Sequence, residues 1–178
     1  MIGLAAIAAR WAARLGGAAI LVAAVLVAAE VLSRNLGLGL RLHAFELTNY
    51  IFAAAVAFGL SWALVEGAHI RIDLLYRWLP MPLRAVLDVA ALAALAVTAA
   101  GMAWQGWRVT GASLALGARP NATLDIPLAL PQAVWAAGLS WFAAVAALMA
   151  LAALARLIRG RWAEISRMAG IDATGGPR

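Results

Sequence analysis

The chain contains no cysteine and no lysine, and only 12% of its residues are charged. Without cysteine it has no disulfide, no thiolate nucleophile and no thiolate metal site. Without lysine it has no Walker glycine-lysine motif, and no dinucleotide glycine fingerprint occurs either, so nucleotide-driven chemistry has no basis here. His43 and His69 are the only histidines. They flank one apolar run and are separated by about 39 Å of helix, so they emerge on opposite faces of a membrane and cannot hold one haem or one metal ion.

Also missing is polar surface. Apolar residues make up 66% of the 178, and a soluble domain of that composition cannot cover its own core, so the solvent is largely lipid. In a soluble protein the formal charge of +6 would point to nucleic acid. Here the arginines punctuate the ends of apolar runs, where they meet headgroups, and nucleic-acid binding is set aside.

A hydrocarbon core about 30 Å thick takes roughly 20 apolar residues per helix. Four runs qualify, at 15–32, 47–65, 85–107 and 132–155. The predicted fold is an all-α integral membrane protein with transmembrane helices at about 15–33, 46–65, 84–107 and 131–156, forming one membrane domain over 1–168. A flexible tail follows over 169–178. Arg10 and Arg14 flank Trp11 in an amphipathic lead expected to lie at the headgroups before the first span. A signal-peptide reading of that span rests on this positive flank and on Val27-Ala28-Ala29. The apolar run is longer than a usual signal core, however, and three further spans need an orientation anchor.

Orientation follows from the arginines. Ten of the fourteen lie in the amino-terminal segment, the second connection and the tail, and four (Arg34, Arg41, Arg108, Arg119) in the first and third connections. Both termini are therefore predicted cytoplasmic.

Glu30 falls near the far interface of the first span, with Arg34 placed to pair with it at i, i+4. Glu46 stands in the first turn of the second span, where the helix dipole favours an anion. Beyond that span, residues 66–80 carry Glu66, His69, Arg71, Asp73, Arg77 and Trp78. As a helix, His69, Asp73 and Arg77 form one stripe, and the segment reads as an amphipathic helix on the cytoplasmic interface over about 68–80, with Arg71 stranded on its apolar arc. As extended chain, His69, Arg71 and Asp73 share a face instead. A turn through Gly67 followed by a helix is favoured. Arg84 and Asp88 are spaced as a pair near the start of the third span, and Trp104, Trp107 and Arg108 mark its far interface. The stretch 109–131 is expected to be a long loop.

No carboxylate, histidine or serine cluster recurs at a spacing that builds a hydrolase or transferase site. A channel or transporter shows polar residues at depth, and Thr98 and Ser140 are too few to line a path.

Several short features do stand together: Arg34-Asn35 closing span one, Glu46 opening span two, Phe58-Gly59 within it, the block GAHIRIDLL at 67–75, Leu79-Pro80, and Leu124-Asp125-Ile126-Pro127 before the last span. In these the chain resembles the small membrane subunit, DctQ-like, of the tripartite ATP-independent periplasmic (TRAP) transporters, over roughly residues 15–160. The resemblance implies an accessory permease subunit of the bacterial inner membrane, not an enzyme. A large permease subunit holds the sodium and substrate sites and moves by an elevator mechanism, while a periplasmic binding protein delivers an organic anion such as a carboxylate. The small subunit braces the large one's scaffold. No cofactor is expected in this chain, sodium being bound by the large subunit.

By the same resemblance, Glu46, His69, Arg71, Asp73, Arg77 and Trp78 are the candidate interface with the large subunit, and Arg34, Arg41 and Arg108 the candidate contacts with the binding protein. Two other readings stand beside it. One is a self-contained four-span exporter built on Glu30, and the other a membrane-bound redox or assembly protein.

Overall fold

The computed structural model describes residues 2–39, 43–68, 78–121 and 124–169. Those residues are helical apart from their connections: α1 (Ile2–Asn35), α2 (Ala44–Val65), α3 (Met81–Ala115), α4 (Ala129–Ile158) and α5 (Trp162–Ala169). The first four are long and apolar enough to cross a membrane. Alanine and leucine dominate them, both strong helix formers, and in hydrocarbon the backbone must satisfy its own hydrogen bonds. The interfacial helix expected over 68–80 and the tail expected over 169–178 fall mostly outside the described residues.

All four long helices end in the same way. A glycine with positive φ (Gly37, Gly67, Gly117, Gly160) follows the last turn. Its N–H and that of the next residue return to carbonyls of that turn, as in Gly117 to Leu114 at 3.2 Å and Ala118 to Ser113 at 2.9 Å. This is the Schellman motif, and it places each helix end where an achiral residue permits the left-handed turn. Two expectations change accordingly. The segment 109–115, expected as loop, continues α3, because nothing breaks the helix before Gly117. The lead around Arg10 and Trp11 does not lie apart from the first span; residues 2–14 hold no proline or cap, and α1 runs through them without a break.

The helices pack as an open row. α1 lies along α2, α2 against α4 and α4 against α3, while α1 barely meets α4 and shares no packed interface with α3 among the described residues. Small residues set the spacings. A Cβ on Gly138 would stand 2.8 Å from Ala57 Cβ and 3.0 Å from the Phe58 ring, so α4 approaches α2 only because that position has no side chain. Gly16 against Ala55 and Gly106 against Ala136 make looser versions of the same contact at 3.2 Å.

The main core holds Leu64, Leu92, Phe142, Val145 and Met149. It lies toward the end of the bundle where α5 folds back, and Ile165 of α5 is fully buried in it. Glu164 of α5 accepts from Arg161 at 2.5 Å and pairs with Arg156 at 3.4 Å, fastening the short helix beneath α4.

Gly138→Ala is expected to destabilise the chain by about 1–3 kcal/mol through overpacking. Gly59→Ala, whose added Cβ meets nothing within 4 Å, is expected to be neutral or stabilising by up to about 1 kcal/mol. Thermal melts of the two variants in one detergent check the contrast, and equal melting temperatures would contradict the close α2–α4 contact.

Candidate functional site

Polar chemistry concentrates at the two ends of the bundle. At the end carrying the α1–α2 and α3–α4 connections, the first N–H groups of α2 have no intrahelical acceptor. His43 stands at the N-cap with positive φ and no capping side-chain hydrogen bond. Glu30 of α1 supplies the missing acceptor: its Oε2 takes the Ala44 N–H at 2.6 Å. The i, i+4 spacing predicted a Glu30–Arg34 pair, but the carboxylate is drawn to the neighbouring helix, where the dipole favours it.

Glu46, two residues further along the first turn of α2, does the same for a more distant segment. Its Oε2 accepts the Leu124 N–H at 2.8 Å across 78 residues of sequence. Leu124 opens Leu124-Asp125-Ile126-Pro127, so two features that stand far apart in the sequence meet through one hydrogen bond. The loop is also folded on itself. Arg119 donates to Asp125 Oδ2 at 2.5 Å and to its carbonyl at 3.3 Å, and the Leu128 N–H returns to the Ala118 carbonyl at 3.0 Å. The Arg119 guanidinium holds the Asp125 carboxyl below the usual carboxylate range.

Arg34 is exposed at this end, Arg108 is exposed and donates to Gln105 at 3.5 Å, and Arg41 lies outside the described residues. Trp107, expected as a belt residue, also donates its indole N–H to Ser140 at 3.0 Å and ties α3 to α4.

At the opposite end, Trp78 is 87% exposed. His69, Arg71, Asp73 and Arg77 lie outside the described residues, so the structure brings no predicted partner residues together there. Arg84 donates Nε to the Leu79 carbonyl at 2.7 Å. Asp88 is only 3% exposed, on the same face of α3 as Ala85 and Leu92; its sequence position had marked it as a helix-terminus charge. Arg10 of α1 stacks over Trp62 of α2, 4.9 Å from the ring centroid.

Between the two ends the surface is apolar. A groove of about 400 Å3 runs between α1 and α2, closed at the back by Val134 of α4, with no polar side chain in its lining. Among the described residues no group of three or more histidines or carboxylates is placed to hold a metal ion.

The described residues thus hold four membrane-capable helices without a polar path, and Glu46 tied to Leu124-Asp125-Ile126-Pro127. The family model for "Tripartite ATP-independent periplasmic transporters, DctQ component" matches residues 23–161. The chain belongs to this family. Comparison with curated proteins and with solved structures returned no match. The DctQ component is the small permease subunit of a TRAP transporter, not an enzyme, and the family works with a large permease subunit and a periplasmic binding protein. The match and the four spans place this DctQ subunit among multi-pass proteins of the bacterial inner membrane.

Hydropathy does not reveal that Glu30 and Glu46 reach across to other segments, because the partners are backbone N–H groups that no residue type marks. The α5 helix was not predicted as an element separate from the end of the fourth span, although Trp162, Ile165 and Met168 recur at spacing three just after Gly160 and could have marked it.

Glu46→Ala is expected to release the 116–128 loop, with amide exchange at Leu124 accelerated in line with a loss of about 1–3 kcal/mol for an orphaned donor. Glu46→Gln, which keeps an acceptor, is expected to lose less. Unchanged exchange in both variants would remove the proposed anchor.

The Arg119–Asp125 tie has a pH signature. A carboxyl whose folded pKa lies below its ordinary 3.8 stabilises fully above that value and loses its contribution as pH falls through the lower folded value. Loop protection, read by exchange across an acid titration, is expected to hold at pH 5 and to fall below about pH 3.8. Asp125→Asn is expected to abolish that step.

Proposed function

We propose that this DctQ subunit braces the scaffold of the large permease subunit during sodium-coupled uptake of an organic anion such as a carboxylate, with the sodium and substrate sites on the large subunit and both termini in the cytoplasm. One observation carries the reading: the helices form an open row whose apolar surface is mostly uncovered. Of the most apolar 18 residues of α1 only 6% are buried, and of those of α3 22%. A chain that lines its own pathway turns polar groups inward. Here the buried polar side chains among the described residues are Ser33, Ser61, Asp88 and Thr110, scattered toward the two ends, and Ser61 and Thr110 bond to carbonyls of their own helices at 2.6 and 2.8 Å.

The exporter reading loses support for a specific reason. It turns on Glu30, and that acid is committed to the start of α2 at the end of its span. The redox reading finds no converging ligands among the described residues.

Under this proposal the large subunit meets Glu46, His69, Arg71, Asp73, Arg77 and Trp78, the exposed indole of Trp78 being available for such a contact. Arg34, Arg41 and Arg108 give the periplasmic face its positive charge toward the binding protein. The orientation rests on the arginine asymmetry.

Glu46→Ala and Arg71→Ala are each expected to reduce recovery of the large subunit in co-purification several-fold relative to Arg178→Ala. Equal recovery with all three would count against the interface. Reconstituted alone in liposomes, the chain is expected to transport nothing, and uptake by the lone chain would overturn the accessory role.

A further inference from the structure

At the Glu30 end a second, smaller cleft opens between α1 and α2, about 260 Å3 in volume and lined by Val27, Glu30, Val31, Arg34, Ala44 and Phe45. Unlike the groove deeper in the bundle, it combines charge with apolar surface in a fixed order. Glu30 and Arg34 lie one turn apart on the same face of α1, yet they do not neutralise each other. Glu30 Oε2 accepts from the Ala44 N–H, and the second carboxylate oxygen has no hydrogen-bond partner among the described residues. Arg34 is exposed, and its guanidinium has neither an ion pair nor a hydrogen bond among the described residues.

The depth of this cleft is set by helix geometry. Arg14 and Arg34 are separated by about 30 Å of helix rise, the thickness of a hydrocarbon core. With Arg14 at one boundary, Arg34 stands at the other, level with the headgroups. Phe45 is 76% exposed beside it, and Val27 and Val31 continue the lining into the hydrocarbon.

We infer that this cleft binds the headgroup of an aminophospholipid of the phosphatidylethanolamine type, its phosphate on Arg34, its primary ammonium on Glu30 and an acyl chain along Val27 and Val31. A guanidinium offers two parallel donors to a phosphate, and a carboxylate oxygen accepts readily from an ammonium N–H. A zwitterionic ethanolamine headgroup answers both charges. Phosphatidylglycerol supplies the phosphate but leaves the carboxylate facing a neutral diol, and a choline headgroup has no N–H to donate. The site is independent of the bracing role, and it gives Arg34 a lipid partner in place of the binding protein.

Native mass spectrometry of the full chain, delipidated and offered phosphatidylethanolamine, phosphatidylglycerol and phosphatidylcholine at equal concentration, tests the site. The ethanolamine lipid is expected to be retained about tenfold over phosphatidylglycerol, the factor that one charge-assisted hydrogen bond supplies. Arg34→Ala, an exposed substitution that leaves packing intact, is expected to lower that adduct about tenfold. Glu30→Gln keeps an acceptor for the Ala44 N–H but removes the charge, and is expected to bring the ethanolamine and glycerol lipids within about twofold. Arg159→Ala, at the opposite end of the bundle, is expected to leave the preference unchanged. Equal or better retention of phosphatidylglycerol by the unaltered chain, an ethanolamine adduct undiminished by Arg34→Ala, or an ethanolamine preference that survives Glu30→Gln would overturn the site.

Discussion

A backbone N–H that reaches hydrocarbon or headgroup depth without an acceptor is expensive, and the architecture of this subunit depends on how that cost is met. Within the spans the helices satisfy themselves. At their ends and in the connections they do not, and two carboxylates have gone to those places. Glu30 takes the first amide of α2, and Glu46 takes the amide of Leu124. These two bonds fix the relation of α1 to α2 and hang the α3–α4 connection on the start of α2. Charge is scarce in this chain because lipid excludes it, and part of what remains ties helix ends and connections together.

Packing within the membrane obeys a second rule. Lipid tails are as apolar as leucine, so helices adhere through close contact and not through exclusion of water. Gly138 against Ala57, Gly106 against Ala136 and Gly16 against Ala55 are where that contact occurs. The resulting row leaves the outer faces of α1 and α3 open. Under the proposed bracing role these uncovered faces are where the large subunit and annular lipid pack.

Much of this was legible in advance, though unevenly. The spans were readable because hydropathy over a full membrane thickness is a sum of many small terms and tolerates local error. Helix ends were less readable: 109–115 looked like part of a glycine- and proline-bearing loop beyond the Trp107 interface, but a helix stops where its carbonyls find new donors, and those come with Gly117 and Ala118. The family resemblance was carried by short motifs around Glu46 and Leu124, and their meeting in space gives a physical reason for both to be present. Arg84 and Asp88 looked alike as charges near a helix start, but one is bonded to the Leu79 carbonyl and the other is nearly sealed from solvent. That difference depends on which face of α3 meets the core.

By itself the sequence determined a four-span membrane subunit with no chemistry at depth, because bilayer thickness and the cost of buried charge act on composition alone. It also determined the polarity of the ends, since arginine and tryptophan partition to headgroups wherever the fold places them. The tertiary structure decided which acid serves which amide, that the spatial order is α1, α2, α4, α3 and not the order of the chain, and that α5 returns its Ile165 to the core. These outcomes turn on contacts between segments up to 78 residues apart. Backbone donors and glycine Cα surfaces, which make those contacts, carry no side-chain signature for a sequence to display.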